Sequence, residues 1–141
     1  MWGGEAIFNF QKILVPTDGS PWSLKAAEYA AEMSKQFGVT AQLVHIISPS
    51  TIRTSRKREE KSACKALERT KEVFERVGVD VVLREVVRGN PAEIICKIAE
   101  EEQFDLIVIG SRGLSGIEAF FLGGVSEKVS QHAVCPVLIV R

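Results

Sequence analysis

Two apolar runs limit what this chain can fold into. Ile13-Leu14-Val15, inside Lys12–Pro16, and Leu106-Ile107-Val108-Ile109 are hydrophobic at every position, not at every second one. A strand with one wet face alternates polar and apolar residues. A strand apolar throughout is covered on both faces, as in a parallel sheet with helices above and below. Around these runs the periodicity becomes helical. Ser20-Pro21 reads as an N-cap with proline at the first helical position. Ala26, Ala30, Met33 and Phe37 share one face of the helix it opens, and Gly38 closes it. Ala41 to Ile47 reads as the second strand. A charged stretch, Ser48 to Lys61, leads into a second helix with Ala63, Leu67, Thr70, Phe74 and Val77 on one face and Gly78 as its stop. Asp80 to Val87 reads as the third strand. Asn90-Pro91 with Glu93 is a box-like start for a third helix whose inner face is Ile94, Ile95, Ile98 and Ala99. Leu106 to Ile109 is the fourth strand, about Val125 to His132 the last helix, and Val137 to Val140 the last strand.

Strands alternating with helices imply right-handed crossovers and an α/β fold. The expected architecture is a single three-layer domain over residues 1–141, with a five-stranded parallel sheet of order 3-2-1-4-5 and helices on both faces. The unbroken first and fourth strands belong in its centre. The third, carrying Asp80, Arg84 and Glu85, belongs at an edge. Lysine plus arginine equals aspartate plus glutamate, 18 each, so no bulk field draws the chain to nucleic acid or an anionic membrane, and neither is expected as a partner. No apolar run is long enough to span a bilayer, and the first residues lack the basic start of a signal peptide. Cys64, Cys96 and Cys135 are far apart with no Cys-x-x-Cys, so neither a disulfide framework nor a metal site is expected. They read as small buried apolar residues in a reducing cytoplasm.

In a sheet of this order a ligand binds beyond the carboxyl ends of the strands, where the winding reverses. Two loops meet there, Thr17-Asp18-Gly19-Ser20 and Gly110-Ser-Arg-Gly113-Leu-Ser-Gly116. Gly110, Gly113, Gly116, Gly123 and Gly124 crowd the second loop and the helix start after it. Glycine permits close backbone approach and positive φ, the conformation expected at Gly113. Free N–H groups at Gly123-Gly124-Val125-Ser126 would form a phosphate-attracting helix end, with a hydroxyl from Ser126 and a positive charge from Arg112. A flexible loop with capping glycines is the alternative reading of the glycines alone. A P-loop, a dinucleotide-binding Gly-x-Gly-x-x-Gly after the first strand, and a nucleophile elbow are all missing.

These residues resemble the universal stress protein family from Lys12 to Arg141. The likeness is carried by Ile13-Leu-Val-Pro-Thr-Asp-Gly-Ser20, Leu43-Val-His-Ile46, Gly110-Ser-Arg-Gly113, Gly123-Gly-Val-Ser-Glu-Lys-Val129 and His132-Ala-Val-Cys-Pro-Val-Leu-Ile-Val140. The ATP-binding branch of that family carries Gly-x2-Gly-x9-Gly-Ser/Thr. Gly110, Gly113 and Gly123 match it, with nine residues between the last two, and Gly124 stands where the motif has Ser or Thr. The resemblance implies a wall of Pro16 and Thr17, Asp18 near the ribose or adenine, and the main chain of Ile46 at the adenine edge. Gly110, Arg112, Gly113, Gly123, Gly124, Val125 and Ser126 would line the phosphates. It implies ATP as ligand, with Mg2+ or Mn2+ carried by the phosphates. Gly124 lacks a phosphate-binding hydroxyl worth roughly 1.5–3 kcal/mol, for which Ser126 is expected to compensate in part. Asp18 is alternatively a turn-forming Asx residue.

The expected function is a regulatory ATP-binding stress-response protein in which nucleotide occupancy orders the loops and changes the surface shown to partners. No base stands beside an evident water site, so no catalytic residue is expected and ATP hydrolysis would at most be slow. The rival reading is a nucleotide-independent dimeric interaction module of the same fold. Neither His45 nor His132 is expected to be catalytic or to bind a metal, His132 reading as a packing or dipole-complementing residue near a helix end, and Arg53 to Arg58 reads as a solvated loop and helix start, or alternatively a lid or docking segment. A homodimer through the last strand is expected, because Pro136-Val-Leu-Ile-Val140 is an uncharged apolar edge with no following tail to cover it.

Overall fold

A computed structural model describes residues 10–49, 55–84, 86–113 and 123–141. The chain runs β1 (Lys12–Pro16), α1 (Pro21–Phe37), β2 (Thr40–Val44), β3 (Ile46–Ile47), α2 (Arg56–Arg76), β4 (Val81–Leu83), β5 (Val87–Arg88), α3 (Pro91–Glu101), β6 (Leu106–Gly110), α4 (Gly124–His132) and β7 (Val137–Val140). The five-stranded sheet has the order β4-β2-β1-β6-β7, every pair parallel. Counting only its own strands, this is the expected 3-2-1-4-5.

Alternation along the central strands divides the interior in two. Ile13 and Val15 of β1, Leu43 of β2 and Val108 of β6 face α1 and α2, in a core completed by Ala26, Ala27, Ala30, Ala31, Leu67 and Phe74. Leu14, Val44, Ile107 and Ile109 face α3 and α4, with Ala92, Ile95, Ile98, Ala99, Phe104 and Val129. The buried stripe of α1 is built of alanine and serine, which lets its backbone lie close to both β6 and α2. Phe37, expected on that inner face, is 64% exposed. It lies in the last turn of α1, where its ring meets Phe10 edge-on at 6.2 Å. Ile94 likewise is only half-buried, and Ala92 takes its expected place on the inner face of α3.

The caps follow sequence chemistry. Ser20, Ser55 and Asn90 each accept a backbone N–H from three residues on. The outer strands depart from the sequence reading. The second strand stops at Val44 and resumes as β3, and the third divides into β4 and β5. Beyond that break β3 and β5 pair in a separate two-stranded sheet.

Gly38 ends α1 at φ 67°, a left-handed C-cap whose N–H donates to the Ser34 carbonyl. No atom lies within 4 Å of where a Cβ would stand, so a side chain there meets only backbone strain. Gly38→Ala should therefore lower stability by about 1 kcal/mol. Urea unfolding should show a lower midpoint at an unchanged slope.

Candidate functional site

The turn after β1 is held from three elements. Thr17 donates its N–H to the Val44 carbonyl at 2.9 Å, and its own carbonyl lies 2.8 Å from His45 Nδ1. A carbonyl only accepts, so Nδ1 carries the proton. The Thr17 hydroxyl lies 2.8 Å from Thr70 Oγ1 and 3.1 Å from Ser23 Oγ. Gly19, at φ 78°, rests on α2, where a Cβ would come 3.1 Å from Ala66 Cβ. Its carbonyl accepts from Arg69 Nη1 at 3.3 Å. Asp18 Oδ1 accepts the Ser20 N–H at 2.9 Å and the Ser23 hydroxyl at 3.1 Å. The carboxylate thus forms the Asx turn offered as the alternative reading, while also lining the cleft.

The glycines after β6 have separate causes. A Cβ on Gly110 would stand 2.8 Å from the carbonyl carbon of Trp22, in the first turn of α1. On Gly113 it would stand 2.6 Å from Asp18 Oδ2. Gly113 does not have the left-handed φ expected of it; a side chain there would instead have to displace the Asp18 carboxylate. On Gly123 a Cβ would be 3.1 Å from the Ser111 carbonyl oxygen, which accepts the Gly123 N–H at 2.6 Å. Gly124 alone has open space, with nothing within 4 Å of its would-be Cβ. Gly116 lies outside the described residues.

The Ser126 hydroxyl differs from expectation. It is buried, and it donates toward the carbonyls of Ser111 and Gly123, 3.0 Å from each. Its single proton is used inside the loop, so it does not replace the hydroxyl absent at Gly124. What α4 offers the cleft is backbone. Gly123 caps it without a side-chain hydrogen bond, whereas α1, α2 and α3 all have one. The N–H groups of Gly124, Val125 and Ser126 precede the first intrahelical donor, Glu127, which bonds the Gly123 carbonyl at 3.0 Å. Arg112 brings positive charge nearby, with its guanidinium 5.8 Å from the centre of the Trp22 ring.

Pro16, Thr17, Asp18, Ile46, Gly110, Arg112, Gly113, Gly123, Gly124, Val125 and Ser126 all line one cleft of about 800 Å³. Sequence reasoning missed its other wall: His45 and Ser48 after β2, Arg58, Glu59 and Ser62 from the first turns of α2, and Pro91 and Ile95 from α3. Apart from His45, in the Leu43–Ile46 segment, and Pro91, in the cap of α3, no local motif marks these residues, and the packing of α2 and α3 brings them to the cleft. Arg56, Lys57 and Arg58 are thus the opening of α2, and Arg53 lies outside the described residues. His132 is an exposed residue at the end of α4. Cys64 is exposed, contrary to expectation, while Cys96 and Cys135 are half-buried. Burial pushes the thiols of Cys96 and Cys135 up. Among the described residues no group of three or more His, Cys, Asp or Glu could hold a metal ion, and no helix is long and apolar enough to cross a membrane.

A doubly wound parallel sheet with a glycine-rich helix start beside a cleft at its switch point defines an α/β protein of the class in which ligands bind at the carboxyl ends of the strands. The chain belongs to the universal stress protein family, whose model matches residues 9–141. It is 37% identical to universal stress protein YxiE of Bacillus subtilis, over 94% of this chain and 99% of that one. Among solved structures it is similar to hypothetical protein MJ0577, with TM-score 0.78, 32% identity, and 93% and 95% of the two chains covered. It is also similar to a universal stress protein in complex with cAMP, with TM-score 0.73, 26% identity, and 94% and 97% covered.

The glycines should separate by substitution. Gly110→Ala forces a methyl group onto the α1 backbone and should cost about 1–3 kcal/mol. Gly124→Ser meets open space and should stay within about 0.5 kcal/mol of the parent. Thermal melts of the two variants check the contrast.

Proposed function

We propose that this protein is a regulatory adenine-nucleotide-binding protein that takes ATP, with Mg2+ or Mn2+ carried by the phosphates, in the cleft at the switch point. The observation that carries the reading is the N-terminus of α4. It is the only helix start among the described residues without a side-chain cap, it opens into the cleft, and it presents successive N–H groups. Phosphate oxygens supply the acceptors and the negative charge that such an end lacks. Relatedness supports the adenine part, since one similar solved structure is a cAMP complex. In this reading Pro16 and Thr17 form a wall, Asp18 meets the ribose, and the main chain of Ile46 reads the amino edge of adenine. Gly110, Arg112, Gly113, Gly123, Gly124, Val125 and Ser126 surround the phosphates, with Ser126 contributing its N–H and not its hydroxyl. Occupancy orders the surrounding loops and alters the surface available to a protein partner.

Titration calorimetry should detect ATP binding and weaker GTP binding, because guanine presents an acceptor where adenine presents its amino group. Absence of ATP binding at millimolar concentration would overturn the reading in favour of a nucleotide-independent module. Gly124→Ser should bind ATP more tightly than the parent, by about tenfold or more, the worth of one hydrogen bond to a charged group.

The same reading includes a homodimer through β7. This strand pairs only with β6. The Pro136 and Val140 carbonyls point toward the β6 side, accepting from Ile107 and Ser111 at 3.0 and 2.8 Å. By alternation the backbone groups of Val137 and Ile139 point outward, available to a second copy. Leu138 and Val140 belong to the core on the α1 side, so charges placed there would disturb the fold as well as an interface. Ile139→Pro instead removes an outward donor. Light scattering should give a dimer mass for the parent and a monomer mass for Ile139→Pro; a monomeric parent refutes the interface.

A further inference from the structure

We propose that Thr70, in the middle of α2, is a positioning residue for the Asp18 carboxylate, acting through the hydroxyls of Thr17 and Ser23 to set how tightly the cleft holds a ribose. The proposal rests on the reading that the cleft takes an adenine nucleotide with Asp18 toward its sugar. The buried stripe of α2 is Ala63, Ala66, Leu67, Thr70, Val73 and Phe74. Thr70 is the one polar member of that stripe, and it is fully buried. A hydroxyl in such a place costs stability unless it is satisfied. Valine has the same shape and would suit the packing, so the hydroxyl calls for a reason at this position.

Proton bookkeeping supplies one. The Thr70 hydroxyl donates to the Ala66 carbonyl at 2.7 Å, one turn back along its own helix. With its proton so used, its oxygen can only accept from Thr17 Oγ1, 2.8 Å away. Thr17 Oγ1 in turn accepts the Gly19 N–H at 3.2 Å, fixing the backbone on the far side of Asp18. Ser23 has one hydroxyl proton and two acceptors, Asp18 Oδ1 at 3.1 Å and the Ser20 carbonyl at 3.0 Å. Its oxygen meanwhile lies 3.1 Å from Thr17 Oγ1. The hydroxyls of Thr17, Ser20, Ser23 and Thr70 all belong to buried residues, so they exchange partners among themselves instead of with solvent. Without the acceptor at Thr70 the Thr17 proton turns to the Ser23 oxygen, to which the Ser20 hydroxyl also donates at 3.3 Å, so the Ser23 hydroxyl reorients and with it the one hydrogen bond it gives Asp18 Oδ1. Thr70 contacts no ligand in this scheme; it fixes the orientation of a group that does.

The test compares ATP with 2′,3′-dideoxy-ATP, which lacks the sugar hydroxyls a positioned carboxylate would hold. The parent should bind ATP more tightly than the dideoxy analogue. Thr70→Val should weaken ATP about three- to tenfold, the worth of one hydrogen bond, and leave the dideoxy analogue unchanged. Thr70→Ser should restore the preference. Ser23→Ala, which removes the hydroxyl on Asp18 from the α1 side, should act like Thr70→Val and serves as the test if that variant does not fold. Equal weakening of both ligands, or unchanged ATP binding in Thr70→Val, overturns the positioning role while nucleotide binding stands. A parent that binds both ligands alike overturns it as well. A parent that binds no ATP defeats the functional reading itself, and the positioning role with it.

Discussion

Coverage of β1 on both faces is the constraint on which the rest depends. Ile13, Leu14 and Val15 are fully buried, and their side chains alternate between two cores. One strand thus requires helices above and below it, and parallel neighbours on both edges, because its backbone groups have no access to water. β2 and β6 supply those edges. The chain leaves β1 toward one layer, through α1, and leaves β6 toward the other, through α4. At their carboxyl ends the two connections therefore separate, and the cleft lies in that separation. The position of the site is a consequence of burying three residues.

The glycines make the same point at atomic scale. Gly110 is required by contact with the backbone of α1, whereas a Cβ on Gly113 or Gly123 would press on the Asp18 carboxylate or the Ser111 carbonyl, which would have to shift. Gly124 has no such contact. It is the position where the motif of the family's ATP-binding branch varies between serine and threonine, and a side chain there meets nothing but the cleft.

The central architecture was legible because each signal had one local cause. Unbroken apolar runs gave the inner strands, and Ser20, Asn90 and Gly38 gave helix ends through their own side chains or φ. The crevice followed from strand order. Other features depended on distant partners. Phe37 keeps the helical period of the buried face, but α1 ends before the core reaches it. The third strand breaks because β5 finds β3 beyond the edge of the main sheet. The Ser126 side chain is the right chemical type in the right segment, yet the Ser111 carbonyl lies within reach and takes its proton. Thr70 carries no motif, and the Leu43–Ile46 segment that holds His45 does not reveal its contact with Thr17. Their roles exist only because α2 and the end of β2 press on the same turn.

That pressing also explains why the turn is lined with hydroxyls. α1 approaches α2 and β6 closely because its buried stripe is alanine and serine, and Gly19 lies directly on Ala66. Where the turn packs against α1 and α2, the hydroxyls of Thr17, Ser20, Ser23 and Thr70 are buried and need partners within the protein. Larger apolar residues would open the interface, and larger polar ones would not fit. Serine and threonine are the side chains that fit and still satisfy their neighbours. Thr17 therefore has every polar group engaged: its N–H by Val44, its carbonyl by His45, its hydroxyl by Ser23 and Thr70. With the residue before it fixed and Gly19 held on α2, Asp18 presents its carboxylate to the cleft from a rigid base. The opposite wall, at Gly124, carries no side chain at all. One side of the site is thus set by packing, and the other is left to backbone amides.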